Sequence, residues 1–338
     1  NIVKEEVHCT QKSAGIIDLS SFGKIEIRGQ DSLSFIKSIC TANFDKPDGS
    51  IIYSLILNEE GGIESDLVVF KIDDFNFRIQ ISISIFYRIK KYFYDKLNPS
   101  FKVEINDITE QYAVIGVFGP NTTNLVKEIP DLEWINDLKY FKFGFGKFLD
   151  IDVMVARLSF LGEAGWELSC RKNDIEKIVT LLIKKNIKPI GLFAQTSMRI
   201  EKKFLSHGHD FDSDTTPNMV FSDKFMQLLI KNKTINDFKL KRKVFNTPNK
   251  KLVSLVFQEL NCYPIGNEIV QHENKIIGIT TSATFGFRIN KPVALAMINA
   301  HEYKNLNQVE VIIGQDIFFA NVIEGSIYDP NGDKMRNF

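Results

Sequence analysis

From residue 248 onward the chain is a succession of short strand-like segments with no helical stretch between them: "KLVSLVF", "NEIVQ", "KIIGITTSAT", "PVALAMI", "QVEVIIG" and "DIFFANVI". A strand buries its apolar face only against another layer, and where no helix follows, that layer must be more sheet. The tail therefore reads as an all-β barrel. Everything before it obeys a different rule, alternating strands with helices, and the chain divides into 1–245 and 246–338.

In the first part "GKIEIRG" (23–29) has period two, and Asp31 is placed to cap a helix through "SLSFIKSIC". "DFNFRIQIS" (74–82) alternates again and pairs as a hairpin with the strand before it. Ser84 then opens a helix with Phe86, Ile89, Phe93 and Leu97 on one face. A second cycle follows: "AVIGVFG" as strand, a helix opened by Asn121, hairpin strands "MVARLSF" and "GWELSC" around "LGEAG", and a helix from Asn173. Two strand-helix layers of similar size predict a pseudo-repeated α+β region.

Charge narrows the function. Lys plus Arg equals Asp plus Glu at 42 each, so no net positive field gathers nucleic acid or an anionic membrane surface. The basic run "KLKRK" (239–243) reads as a solvated connector. The cysteines at 9, 40, 170 and 262 form no CxxC pair, as expected of reduced thiols in an intracellular protein, cytoplasmic or, in a eukaryote, of the mitochondrial matrix. "HGHD" (207–210) offers two histidines without a third ligand, a poor metal site. No secretory signal or membrane-length apolar span is present.

Two carboxylates stand where burial would be costly. In "EEGGIESDLVVFKI" (59–72), Asp66 sits where a strand turns apolar. It is either a solvated residue of the Gly61–Gly62 turn or a group facing a ligand. In "SFLGEAGWELSC" (159–170), Glu163 and Glu167 flank a glycine turn beside Phe160 and Trp166. Either Glu163 belongs to the turn, Glu167 faces solvent and Trp166 is core, or a carboxylate beside flat apolar surface recognises a planar, hydrogen-bonding heterocycle. "QTSMRIEKKF" (195–204) reads as a short helix with an internal Arg199/Glu201 charge pair.

Taken in order, "GIIDLSSFGKIEIRGQDSLSFI", "EEGGIESDLVVF", "VIGVFGPN", "SFLGEAGWELS", "SMRIEKKF", "GHDFDSDTTP" and "GNEIVQHENKIIGITTSATFGF" span nearly the whole chain. As an ordered set they resemble the folate-binding aminomethyltransferase family, which includes the glycine-cleavage T-protein, and most of all the C-terminal region of dimethylglycine and sarcosine dehydrogenases. The resemblance implies ferredoxin-like α+β subdomains and a C-terminal antiparallel β barrel arranged as a cloverleaf around a central channel, with tetrahydrofolate held in it. It implies that Asp66 is the catalytic carboxylate, that Glu167 accepts hydrogen bonds from the pterin, and that Tyr53 contacts folate.

The departures from the family pattern are equally specific. Phe160 stands where the family has a tyrosine, Gln195 where T-proteins have an arginine, and Lys203 where a glycine follows "EK". "TTPNMVFSDKF" lacks the acidic-small-glycine sequence expected after "TP". Two functions are implied. One is one-carbon transfer to tetrahydrofolate from an iminium or formaldehyde derived from an N-methyl amino acid, with a flavin dehydrogenase as partner. No G-x-G-x-x-G follows an early strand, and "FGFGKF" (143–148) has the wrong glycine spacing, so FAD would belong to an upstream or partner domain. The other is a non-catalytic folate-binding module, as in the regulatory subunit of pyruvate dehydrogenase phosphatase.

Overall fold

The computed structural model describes residues 1–230, 244–303 and 306–336. "KLKRK" lies outside the described residues. The first sheet runs in the order β3-β4-β5-β2-β6, all antiparallel, from β2 (Gly23–Arg28), β3 (Ser50–Leu57), β4 (Ile63–Asp73), β5 (Asn76–Ile81) and β6 (Glu104–Asp107). Period-two alternation splits its residues between two faces. Leu67 and Val69 of β4, with Ile25, Ile27 and Phe77, pack under helices α2 (Ser32–Ile39) and α3 (Phe86–Lys96) through Phe35, Ile36, Ile89 and Phe93. Asp66, Val68 and Phe70 consequently emerge on the face away from the helices.

The second sheet repeats the device. Its order is β11-β1-β7-β10-β9-β8, with β1 (Gly15–Asp18), β7 (Tyr112–Phe118), β8 (Phe143–Phe148), β9 (Ile151–Ala156), β10 (Gly165–Arg171) and β11 (Lys188–Pro189); only the β1–β11 pair is parallel. Trp166, Leu168 and Cys170 of β10 enter the core beneath α4 (Thr122–Glu128) and α5 (Ile175–Lys184), where Leu125, Val126, Ile178 and Leu182 meet them. Glu167 and Ser169 are therefore turned to the opposite face. Part of that face is covered by α1 (Ile2–Lys12) and α6 (Leu192–Glu201), through Val7, Ala194 and Met198 against Ile17, Val114 and Phe118.

The faces turned away from α2 and α3 and from α4 and α5 meet where α1 and α6 leave the second sheet uncovered. Ile51 and Phe70 of the first pack on Phe143, Met154 and Ala156 of the second, with the Phe70 and Phe143 rings edge to face at 5.5 Å. The sheet edges are also tied by backbone bonds, Phe143 N to Gly49 O at 3.0 Å and Ile51 N to Phe141 O at 3.1 Å.

The tail is a closed antiparallel barrel in the order β12-β15-β14-β13-β16-β17, from β12 (Lys250–Phe257), β13 (Ile269–His272), β14 (Lys275–Gly286), β15 (Lys291–Asn299), β16 (Gln308–Ile313) and β17 (Asp316–Ile323). Closure removes the free edges that six such strands would otherwise expose. Val253, Leu255, Ala294 and Ala296 fill its interior. Their neighbours Leu252, Val293 and Leu295 point outward and bury against Leu55 and Ile63 of the first sheet and Ile200 of α6. Near them lie two short helices, α7 (Pro217–Val220) and α8 (Asp223–Leu229). The α+β region followed by an antiparallel barrel is the architecture expected from the sequence.

Some local expectations are overturned. Asp31 and Asn121 begin their helices, but neither side chain caps: Asp31 accepts from Lys102 N at 2.8 Å, and Asn121 accepts from the Asn124 amide at 2.9 Å. The Arg199/Glu201 pair does not form, because residues two apart on a helix face different ways. Arg199 instead holds Asp210 at 2.8 Å, and Glu201 binds Arg288.

Candidate active site

Asp66 is not a turn residue. The Gly61–Gly62 turn is closed by Asn58, whose Oδ1 accepts from Glu60 N at 3.0 Å and Gly62 N at 2.8 Å. Gly61 has φ of +84°, and a Cβ on Gly62 would fall 1.7 Å from Ser213 O, so glycine is required at both positions. Asp66 lies beyond, on β4, where its Oδ2 accepts a hydrogen bond from the Tyr53 hydroxyl of β3 at 3.1 Å. Burial pushes the Asp66 carboxyl up to about 6, with the Tyr53 bond pulling the other way. Burial beside that carboxylate holds Tyr53 well above the usual phenol range, so it stays a donor.

The pair sits between two apolar clusters. Val68 and Phe70, on the same face of β4, pack toward the second sheet; Leu55, directly across from Asp66 in the strand register, packs toward the barrel and α6. Asp66 thus occupies the place where first sheet, second sheet and barrel converge.

Glu167 is the second carboxyl. It is 5% exposed, its register neighbours are Gly116 and Ala156, and its Oε2 is buried without a hydrogen-bond partner among the described residues. Burial alone pushes its carboxyl up to about 8. The solvent-facing alternative for Glu167 is therefore excluded. Ala156 belongs to the cluster that joins the two sheets, which places Glu167 beside the inter-sheet seam. An orphaned acceptor in such a place suits a ligand bearing N–H donors.

The remaining candidates are less tightly assembled. Phe160 stacks on Phe204 at 5.9 Å, with the rings 17° from parallel, leaving a flat apolar surface. Gln195 lies on α6, half-buried. The structure joins Tyr53 to Asp66 directly. Glu163 is not a solvated turn residue: it is 2% exposed and bound to Arg288 Nη1 at 2.8 Å.

Sequence reasoning missed two features here. Arg288, its side chain fully buried, also donates to Leu161 O at 2.9 Å and to Glu201, and lies 3.9 Å above the Tyr328 ring. Its signal was its position, immediately after the last matching motif in a barrel hairpin. Phe225 of α8 stacks on Tyr53 with ring centroids 6.2 Å apart, and nothing in its local sequence marks it.

A cavity of about 510 Å³ lies elsewhere, between α7, α8 and the barrel, lined by Asn218, Gln227, Lys251 and Glu324, and it does not reach Asp66 or Glu167. Among the described residues no three His, Cys, Asp or Glu side chains group to hold a metal ion, and Asp210 of "HGHD" is engaged by Arg199. Among the same residues no helix is long and apolar enough to cross a membrane.

Comparison with known proteins places this geometry. Residues 1–228 match the GCVT N-terminal domain and residues 250–329 the glycine cleavage T-protein C-terminal barrel domain. The chain is 29% identical over 334 residues to an aminomethyltransferase of Thermosipho melanesiensis, covering 96% of this chain and 89% of that one. The glycine cleavage system aminomethyltransferase T of Bartonella henselae superposes with a TM-score of 0.84 at 18% identity, over 99% of this chain and 90% of that one. A chain of the heterotetrameric sarcosine oxidase of Corynebacterium sp. U-96 overlaps 59% of this chain, and 93% of its own length, with a TM-score of 0.41 and 11% identity, too distant for its assembly to bear on this protein. The chain belongs to the glycine cleavage T-protein family of aminomethyltransferases, enzymes of folate-dependent one-carbon transfer.

Proposed function

We propose that this protein takes the one-carbon unit of an N-methyl amino acid, delivered as an iminium ion or formaldehyde, and that a flavin dehydrogenase carrying FAD on an upstream or separate domain supplies it. Within the chain, residues 1–245 form the folate-binding unit and 246–338 the barrel that closes it. The observation that carries the reading is the buried Glu167 carboxyl, its Oε2 unpartnered among the described residues, on the face of its sheet turned away from α4 and α5 as Asp66 is turned away from α2 and α3.

Glu167 accepts the paired N–H donors of the pterin edge, a carboxylate offering two parallel acceptors. The Phe160–Phe204 stack supplies flat surface, and Tyr53 and Gln195 contribute polar contacts. Tetrahydrofolate, when bound, supplies the nucleophilic nitrogens that take up the one-carbon unit. Asp66, ionised at neutral pH with a carboxyl near 6, stabilises developing positive charge and receives the displaced proton. Tyr53 holds Oδ2, which leaves Oδ1 as the oxygen that takes it.

A second reading, a non-catalytic folate-binding module, is favoured by the departure at residues 218–222. Asn218 to Val220 lie in α7, and the Asn218 side chain is occupied within the chain by Thr216 and Asn246 O. Turnover separates the two. Methylenetetrahydrofolate formation from formaldehyde or a dehydrogenase-generated iminium, at saturating tetrahydrofolate, is expected to exceed the uncatalysed condensation. Asp66→Asn should lower the rate on the order of a hundredfold while folate still binds. A wild-type rate no greater than the uncatalysed one would overturn catalysis and leave the module; equal rates in wild type and variant would remove Asp66 from the chemistry.

A further inference from the structure

We infer that Phe225 is a positioning residue that covers Tyr53 and thereby fixes the Tyr53 hydroxyl on Asp66. Its role in turnover rests on the function proposed above, but the geometry is independent of it. Phe225 lies on α8, which is anchored by Met226 and Leu229, 1% and 3% exposed. The helix start is held by Ser222, whose Oγ accepts from Phe225 N at 3.4 Å. The ring is stacked on Tyr53 at 30° from parallel, and Phe221 braces it from the side at 5.2 Å. Phe225 is nonetheless 38% exposed, an aromatic ring on the surface with one face committed to Tyr53.

The consequence for Asp66 follows from what a tyrosine can do. A Tyr side chain hinges at two torsions, and its hydroxyl meets Asp66 Oδ2 only in one orientation of the ring. A ring stacked against it removes the alternatives and excludes water from the same side. The ionisable groups on the elements packed here are Tyr53 on β3, Glu64, Lys71 and Asp73 on β4, and Asp223 and Lys224 on α8, while Arg199 and Glu201 of α6 are held by Asp210 and Arg288; of these, Tyr53 alone acts on Asp66, and burial is the larger cause. Opening the cover acts on Asp66 in two opposed ways, since hydration lowers its titration and the lost Tyr53 bond raises it, and only the second passes through Tyr53.

The test needs neither folate nor turnover. Aspartate labelled with 13C at the side-chain carboxyl is titrated by NMR in the whole chain, the Asp66 signal being assigned by its loss in Asp66→Asn. The shift caused by Phe225→Ala should be more positive, by about half a pH unit, with Tyr53 present than in a Tyr53→Phe background, and Phe225→Tyr, which keeps the ring, should show no such difference. Should Phe225→Ala fail to fold, Phe225→Leu, which cannot stack, is expected to show the same difference, smaller. Equal shifts in the two backgrounds, in folded variants lacking the ring, overturn the inference. Failure of turnover in the wild type would instead overturn the proposed function, so the two outcomes are distinct.

Discussion

Glu167 keeps its proton at neutral pH in the free protein, because nothing around its buried carboxyl repays the loss of water. Its folded midpoint of about 8 lies above the unfolded value of about 4, so the folded state binds the proton more tightly. The stability this contributes is complete below pH ~4 and is lost as pH rises through about 8. Glu167→Gln removes that loss: its melting temperature should match wild type near pH 5 and exceed it at pH 9, as thermal unfolding at the two pH values would register. A ligand that donates N–H bonds favours the ionised form, so folate binding below pH 8 should release a proton and tighten as pH rises toward 8. Calorimetric binding enthalpies in buffers of different ionisation enthalpy would then differ for wild type and coincide for Glu167→Gln. At this scale the sequence was partly legible. The period-two pattern put Glu167 on a face of "GWELS" but could not say that Ala156 and Gly116 would bury it, since those neighbours come from strands read separately.

Elements that repeat were easier to read than elements that fill. The six barrel strands declare themselves because strand follows strand, with only the four-residue helix Ala300–Tyr303, which the sequence did not announce, between them among the described residues. Helix α1 did not, because Val7 and Thr10 are its only buried residues and eleven mostly polar residues carry no clear stripe. Very short strands such as β11 are made by their partner rather than by their own residues. Where elements press closest, glycine marks the contact. A Cβ on Gly116 of β7 would lie 2.3 Å from the buried Phe118 ring and 3.2 Å from Ile17. Gly116→Ala should therefore cost about 1–3 kcal/mol by overpacking, read as a lowered urea midpoint with an unchanged slope. Because Gly116 is paired with Glu167 across the ladder, the same variant should also weaken folate binding.

At the level of the whole molecule, Arg288 joins three regions. From the barrel it reaches Glu163 before β10, Glu201 at the end of α6, and Tyr328 in the segment beyond β17. Removing one partner of a buried pair leaves charge without solvent, and Arg288→Met should cost about 3–5 kcal/mol, measured by chemical denaturation against wild type. None of this network was legible, since Arg288 and Glu163 alone lie 125 residues apart and the charged members, taken singly, are ordinary surface residue types. The cluster also limits how the protein can change over generations. A lineage that loses Arg288 first strands Glu163 and Glu201, and one that loses both glutamates first strands Arg288. Replacement of the cluster by apolar residues, harmless once complete, must therefore cross unstable intermediates, and its members are expected to be inherited, and discarded, together.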